Sequence, residues 1–147
     1  MIIKVSMDMV PSLTVLASEL WPDASEEELK DEIAATVDDK SQGMYFVYME
    51  GKEAVGFAQC SLRRDYVEGS TTTPVAYLEG MYVNPQYRGQ GRGRELVKAC
   101  EDWAREMGCV EFASDCYMDG DFEMKKAFHD AMGFTEVNRI VCYIKRI

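Results

Sequence analysis

The chain is 147 residues long with a formal net charge of −10, and 47% of its residues are hydrophobic. That length is one domain on ordinary priors and buries roughly two-thirds of the unfolded chain's surface, and the apolar content excludes disorder. No apolar run approaches the roughly 20 residues of a membrane-spanning helix, and the N-terminal "MIIKVSMDMVPSL" lacks a signal-peptide layout. The expectation is one cytoplasmic domain over residues 1–147, with no membrane partner. The 26 acidic residues against 16 basic ones argue against nucleic acid, whose phosphates such a surface repels, and suit a cationic small molecule. Cys60, Cys100, Cys109, Cys116 and Cys142 are odd in number with no CxxC pair, and there is one histidine. These read as small buried thiols in a reducing compartment, and no metal site is expected.

In chain order, residues 2–6 alternate weakly and suit a first strand. Val10, Leu13, Leu16 and Leu20 then recur at helical spacing until Pro22 ends the run. Ser25 and Glu28 stand as a capping box and open a second helix. "GMYFVYMEGKEAVGFAQCSLRRDY" reads as two strands joined at Gly51–Lys52, "EGSTTTP" as a loop, and "VAYLEGMYV" as a strand closed by Asn84–Pro85. Leu96, Cys100, Trp103 and Met107 form the stripe of a strong helix, with Val97 and Ala104 beside it and Gly108 at its C-terminal cap. "CVEFASD" is a short strand, "DFEMKKAFHDAM" a helix closed by Gly133, and "TEVNRIVCYIKRI" a last alternating strand. This order predicts an α/β sandwich of about six strands and four helices.

Between the third long strand and its helix lies "YRGQGRGREL", residues 87–96. The first N–H groups of a helix lack internal partners and carry the positive end of its dipole. Glycines let an anion reach them, and Arg88, Arg92 and Arg94 add charge around the same point, so the stretch is a phosphate cradle. No Lys-Ser or Lys-Thr follows the glycines, which excludes a P-loop, and Arg94 stands where a dinucleotide fingerprint needs its third glycine.

The pattern that fits is Arg88-x-x-Gly91-x-Gly93, preceded by "LEGMYVNPQY" and followed near the end by "HDAMGF". In these motifs the chain resembles the GCN5-related N-acetyltransferase (GNAT) superfamily. The resemblance implies a mixed, mostly antiparallel sheet splayed between strands 4 and 5, with acetyl-CoA in the gap. It implies that the Met81 N–H polarises the thioester carbonyl and that Val83 holds the pantetheine arm. Gly89, Gln90, Gly91, Arg92, Gly93 and Arg94, with Arg88, take the pyrophosphate.

Acetyl transfer to an amine needs a base for the ammonium proton. Glu79 is the first candidate: on a period-two strand it points to the same side as Met81 and Val83 unless a bulge intervenes. Asp115 ends the neighbouring strand. Further, "RRDYVEGSTTTPVAYLEGMYVNPQYRGQGRGRELV", "EFASD", "FHDAMGF" and an early "LWP" are similar to the short aminoglycoside 6'-N-acetyltransferases. That resemblance implies that Glu79 and Asp115 hold and deprotonate an aminoglycoside, that Trp21 and Tyr66 line the pocket, and that Glu136 contributes. It also implies a homodimer, for which the alternating C-terminal strand offers an edge or exchange element. A polyamine, another small amine, or a peptide or protein amine is the alternative acceptor. Two positions depart from the superfamily: His129 stands where a tyrosine proposed to protonate the leaving thiolate is usual, so it either donates a proton or contacts the cofactor. Phe122 stands where an asparagine is frequent.

Overall fold

Five strands form one sheet in chain order in the computed structural model, which describes residues 1–147. They are β1 (Ile2–Lys4), β2 (Gly43–Glu50), β3 (Glu53–Arg63), β4 (Val75–Val83) and β5 (Phe112–Ser114). The first four run antiparallel, and β5 joins β4 in parallel. Helices α1 (Val10–Leu20) and α2 (Glu26–Asp38) cover one face of the sheet, and α3 (Arg92–Glu106) covers the other. Helix α4 (Phe122–Ala131) lies on the α3 side, where Phe128 and Met132 pack against that core.

Both faces are covered, so β2 and β3 are apolar at successive positions rather than at alternate ones. Met44 and Phe46 join the α3 core with Leu96, Cys100 and Trp103, whereas Tyr45 and Val47 join Leu13, Ala17 and Ile33 beneath α1 and α2. The Ser25 capping box forms in full: the Glu28 N–H donates to Ser25 Oγ at 3.1 Å, and the Ser25 N–H donates to Glu28 Oε2 at 3.0 Å.

Two sequence expectations are corrected here. The sheet has five strands, not six, because Thr135–Ile147 pairs with no strand of its own chain. Ile140, Val141, Tyr143 and Ile144 are accordingly exposed. Alternation shows that a segment suits a sheet, but a strand also needs a neighbouring edge. The second correction concerns β4. Gln59 pairs with Gly80 while the next residue, Cys60, pairs with Leu78, which leaves Glu79 bulged out of register with β3. Beyond the bulge the alternation flips. Met81 and Val83 pack with the α3 core, and Glu79 lies with Ser61 and Arg63, which alternate with the α3-facing Cys60 and Leu62. Glu79 therefore does not share a face with Met81 and Val83.

Candidate active site

The ladder between β4 and β5 covers only Ala76, Tyr77 and Leu78. Glu79 to Val83 run on with no β5 partner, so β4 exposes a free backbone edge where the sheet splays. On the α3 side, that edge approaches the glycine loop: a Cβ on Gly93 would lie 3.3 Å from Met81 Cε. Gly89 (φ 74°) and Gly91 (φ 82°) take the left-handed conformation that frees a tight turn from Cβ strain, and a Cβ on either would meet nothing within 4 Å. Gly91 caps α3 without any side-chain bond to the helix amides. These amides and the open ground in front of them suit a pyrophosphate.

The three arginines of the loop do different jobs. Arg92 is largely buried, ion-paired with Glu50 on β2, and donates to the Tyr87 carbonyl at 3.2 Å and to Gln90 Oε1 at 2.7 Å. It pins the loop to the sheet rather than offering a free charge as expected. Arg88 donates from Nε to the Val83 carbonyl at 2.7 Å, and Arg94 to the Ala131 carbonyl at 2.9 Å. His129 lies across α4 from them. Its Nδ1–H donates to the Lys125 carbonyl (2.7 Å), and its Nε2 is hydrogen-bonded with the Ser114 hydroxyl at 2.9 Å. Phe122 starts α4 under the guanidinium of Arg139.

On the α1 side the carboxylates meet. Glu79 Oε1 accepts from Ser61 Oγ, from Arg63 Nε at 3.1 Å and from Arg63 Nη2 at 3.0 Å, and Oε2 accepts from Arg63 Nη2 at 2.8 Å. Arg63 also stacks over the Tyr77 ring, 3.4 Å from its centroid, and the Tyr77 hydroxyl donates to Asp115 Oδ2 at 2.8 Å. Desolvation first, then the bond to Asp115, pushes the Tyr77 phenol well above its ordinary range, so it stays a donor. The two carboxylates thus belong to one chain of side chains: Glu79, Arg63, Tyr77, Asp115. Sequence reading missed Ser61, Arg63 and Tyr77, although the polar series Gln59, Ser61, Arg63 between apolar neighbours marks a polar strip on β3.

Trp21, just past α1, packs on Gly80 beside this group and against Phe57 at 5.7 Å between ring centroids. Tyr66 is 80% exposed on the loop after β3, which Glu111 holds by accepting from the N–H groups of Thr71 (2.9 Å) and Thr72 (2.7 Å). Glu136 is not brought to Glu79 or Asp115; it ion-pairs with Arg139 on the exposed C-terminal segment.

A free β4 edge facing an anion cradle, on a sheet of this topology, defines an acyl-CoA-dependent transferase, and the chain belongs to the acetyltransferase (GNAT) family, matched over residues 8–134. Within it, the chain is similar to aminoglycoside N(6')-acetyltransferase type 1 of Acinetobacter genomosp. 13, at 37% identity over 99% of this chain and 98% of that one. It is similar also to the Klebsiella aerogenes protein of the same name, at 42% identity over 86% and 84%. The crystal structure of the aminoglycoside 6'-N-acetyltransferase of Acinetobacter haemolyticus superposes with a TM-score of 0.91 at 31% identity, covering 100% of this chain and 99% of that one. The structure of AAC(6')-Iy with the bisubstrate analogue CoA-S-monomethyl-acetylneamine gives 0.89 at 31% identity, over 100% and 98%.

Proposed function

We propose that residues 1–147 form one acetyltransferase domain that moves the acetyl group of acetyl-CoA to the 6'-amine of aminoglycoside antibiotics, a resistance-type activity of the cytoplasm. The carrying observation is that the anion cradle and the paired carboxylates lie on opposite sides of one splayed strand, so donor and acceptor reach the same backbone from two faces. The relatives' names and the coenzyme A–neamine analogue bound by AAC(6')-Iy support this choice of donor and acceptor.

Acetyl-CoA, when bound, would supply the thioester: the acceptor nitrogen would form the new C–N bond as the C–S bond breaks, and coenzyme A would leave as a thiolate that takes up the second proton shed by the nitrogen. The amides of Gly89 to Arg94 hold the pyrophosphate, and the Met81 and Val83 edge holds the pantetheine arm. The Met81 N–H stabilises the carbonyl oxygen as negative charge develops on it. Glu79 takes the ammonium proton, directly or through water, and Asp115 holds a second cationic group of the acceptor. Trp21 and Tyr66 wall the acceptor site, and His129 contacts the cofactor. A net charge of −10 favours a polycation in the encounter.

We further infer that the protein works as a homodimer. Residues 135–147 carry apolar side chains on both faces and find no ladder in their own chain, while β5 has an open outer edge. A second copy offers both missing partners at once.

The test is thiol release from acetyl-CoA with kanamycin- and tobramycin-type aminoglycosides, polyamines and peptides in parallel. Turnover is expected with the aminoglycosides. Glu79→Gln and Asp115→Asn each lose on the order of a hundredfold in kcat/KM with acetyl-CoA binding intact. No turnover with any aminoglycoside would overturn the reading.

A further inference from the structure

Glu79 has a cation beside it before any substrate arrives. The Arg63 guanidinium meets both of its oxygens through Nε and Nη2, at 2.8 to 3.1 Å, and lies flat on Tyr77, the residue that bonds Asp115. The pair is only half shielded, with the Arg63 side chain 42% exposed and that of Glu79 26%. A bidentate guanidinium is a strong partner for a carboxylate, and a water-accessible one is exchangeable. Its position is one from which an acceptor ammonium would give its proton directly to Glu79.

We propose that Arg63 is a specificity-determining residue of the acceptor site, a resident counter-cation that competes with the acceptor's ammonium for Glu79. This rests on the reading of Glu79 as the acceptor carboxylate. An amine with one positive charge that displaces Arg63 exchanges one cation for another and leaves the guanidinium unpaired in the cleft. A polycation bears the same loss but adds contacts with Asp115 and the remaining acidic surface. Arg63 therefore raises KM for every ammonium by a similar factor, a threshold that an acceptor with further cationic contacts clears and a singly charged amine does not, without touching the reacting atoms. Ser61 keeps Glu79 Oε1 in place while the exchange occurs.

The experiment compares steady-state constants of the full-length wild type, Arg63→Met and Arg63→Lys with two acceptors that present the same kind of amine. One is 6-amino-6-deoxyglucose, a single ammonium; the other is kanamycin. Methionine keeps an unbranched stem over Tyr77 and removes the charge; lysine keeps the charge and loses the two-pronged grip. Arg63→Met is expected to lower KM for the monoamine about tenfold, the worth of one charge-assisted bond. KM for kanamycin falls by a similar factor, and Arg63→Lys lies between. A purely structural role would raise KM or lower kcat for both acceptors alike, and that result overturns the proposal, as does an unchanged KM for either acceptor. Should the methionine variant fail to fold by thermal melting, the lysine variant decides by the same constants. Wild-type protein that acetylates neither these nor any other amine would overturn the functional reading and this inference together. Wild-type turnover with unaltered KM values in the variants would overturn the inference alone.

Discussion

Gly80→Ala isolates the acceptor wall from the cofactor side of the same strand. A Cβ at position 80 would lie 2.4 Å from Trp21 Cζ2, 2.8 Å from Cη2 and 2.9 Å from Leu20 Cδ2. Ordinary contact begins at 3.4 Å, so the indole must retreat by about 1 Å. The obstacle is a half-buried side chain rather than backbone, so the fold accommodates it at an overpacking cost of about 1 to 3 kcal/mol. For a chain of this size that is a fall in Tm of about 3 to 10 °C. The acceptor wall moves with the indole, and kcat/KM for an aminoglycoside falls about ten- to a hundredfold. The glycine loop and the Met81 edge are untouched, so acetyl-CoA affinity by calorimetry stays at the wild-type value. Gly89→Ala is the mirror experiment: there is space for its Cβ, but φ is 74°, which costs about 1 to 2 kcal/mol of backbone strain. Its loss should appear in acetyl-CoA binding. A Gly80→Ala protein with wild-type Tm and wild-type acceptor KM would refute the assignment of Trp21 to the acceptor wall.

Three more outcomes are expected. Arg92→Ala strips Glu50, Gln90 and the Tyr87 carbonyl of their shared donor, lowering stability by about 1 to 3 kcal/mol in urea denaturation and weakening acetyl-CoA binding through a loosened loop. The Glu28 carboxyl is held below its ordinary 4.5 by the Ser25 N–H and then the Ser25 hydroxyl. A lowered folded-state value means that its contribution is present above pH 4.5 and is lost as pH falls through the folded value. The stability of wild type relative to Glu28→Gln, followed by denaturation from pH 6 to 3, should therefore shrink with acidification. Ile144→Arg places a charge in the exposed apolar segment and should shift sedimentation equilibrium at micromolar protein from dimer toward monomer, with the far-ultraviolet spectrum retained.

Features set by local spacing were legible in the sequence. The Leu96, Cys100, Trp103 stripe, the Ser25 capping box and the Gly51–Lys52 hairpin each depend on residues within a few positions of one another, and each forms. The glycine loop was legible for the same reason: Gly89 and Gly91 needed only a turn and a helix start. What escaped depended on pairing. The last segment has alternation but pairs with no strand of its own chain. The face of Glu79 turned on a bulge created by the register of β3 against β4, which no window of β4 contains. Arg63 reaches Glu79 across that same register, 16 residues away, so nothing within "CSLRRDY" marks the guanidinium as its partner.

The one-residue bulge at Glu79 divides strand β4 into two segments whose alternation runs in opposite phase. Before it, odd-numbered side chains such as Tyr77 lie on the face of Glu79 and Asp115; after it, odd-numbered side chains such as Met81 join the α3 core. Acceptor preference can thus drift through substitutions at residues 75, 77 and 79 without disturbing the packing that frames the donor, which takes Ala76 and Leu78 from the same segment. An insertion or deletion within the strand behaves differently: removing Glu79 would close the bulge and leave Met81 and Val83 on the α3 side, but would take away the one carboxylate that β4 presents on the other face. Variation among related acceptor specificities should therefore accumulate by replacement in the first half of β4, while the length of the strand stays constant.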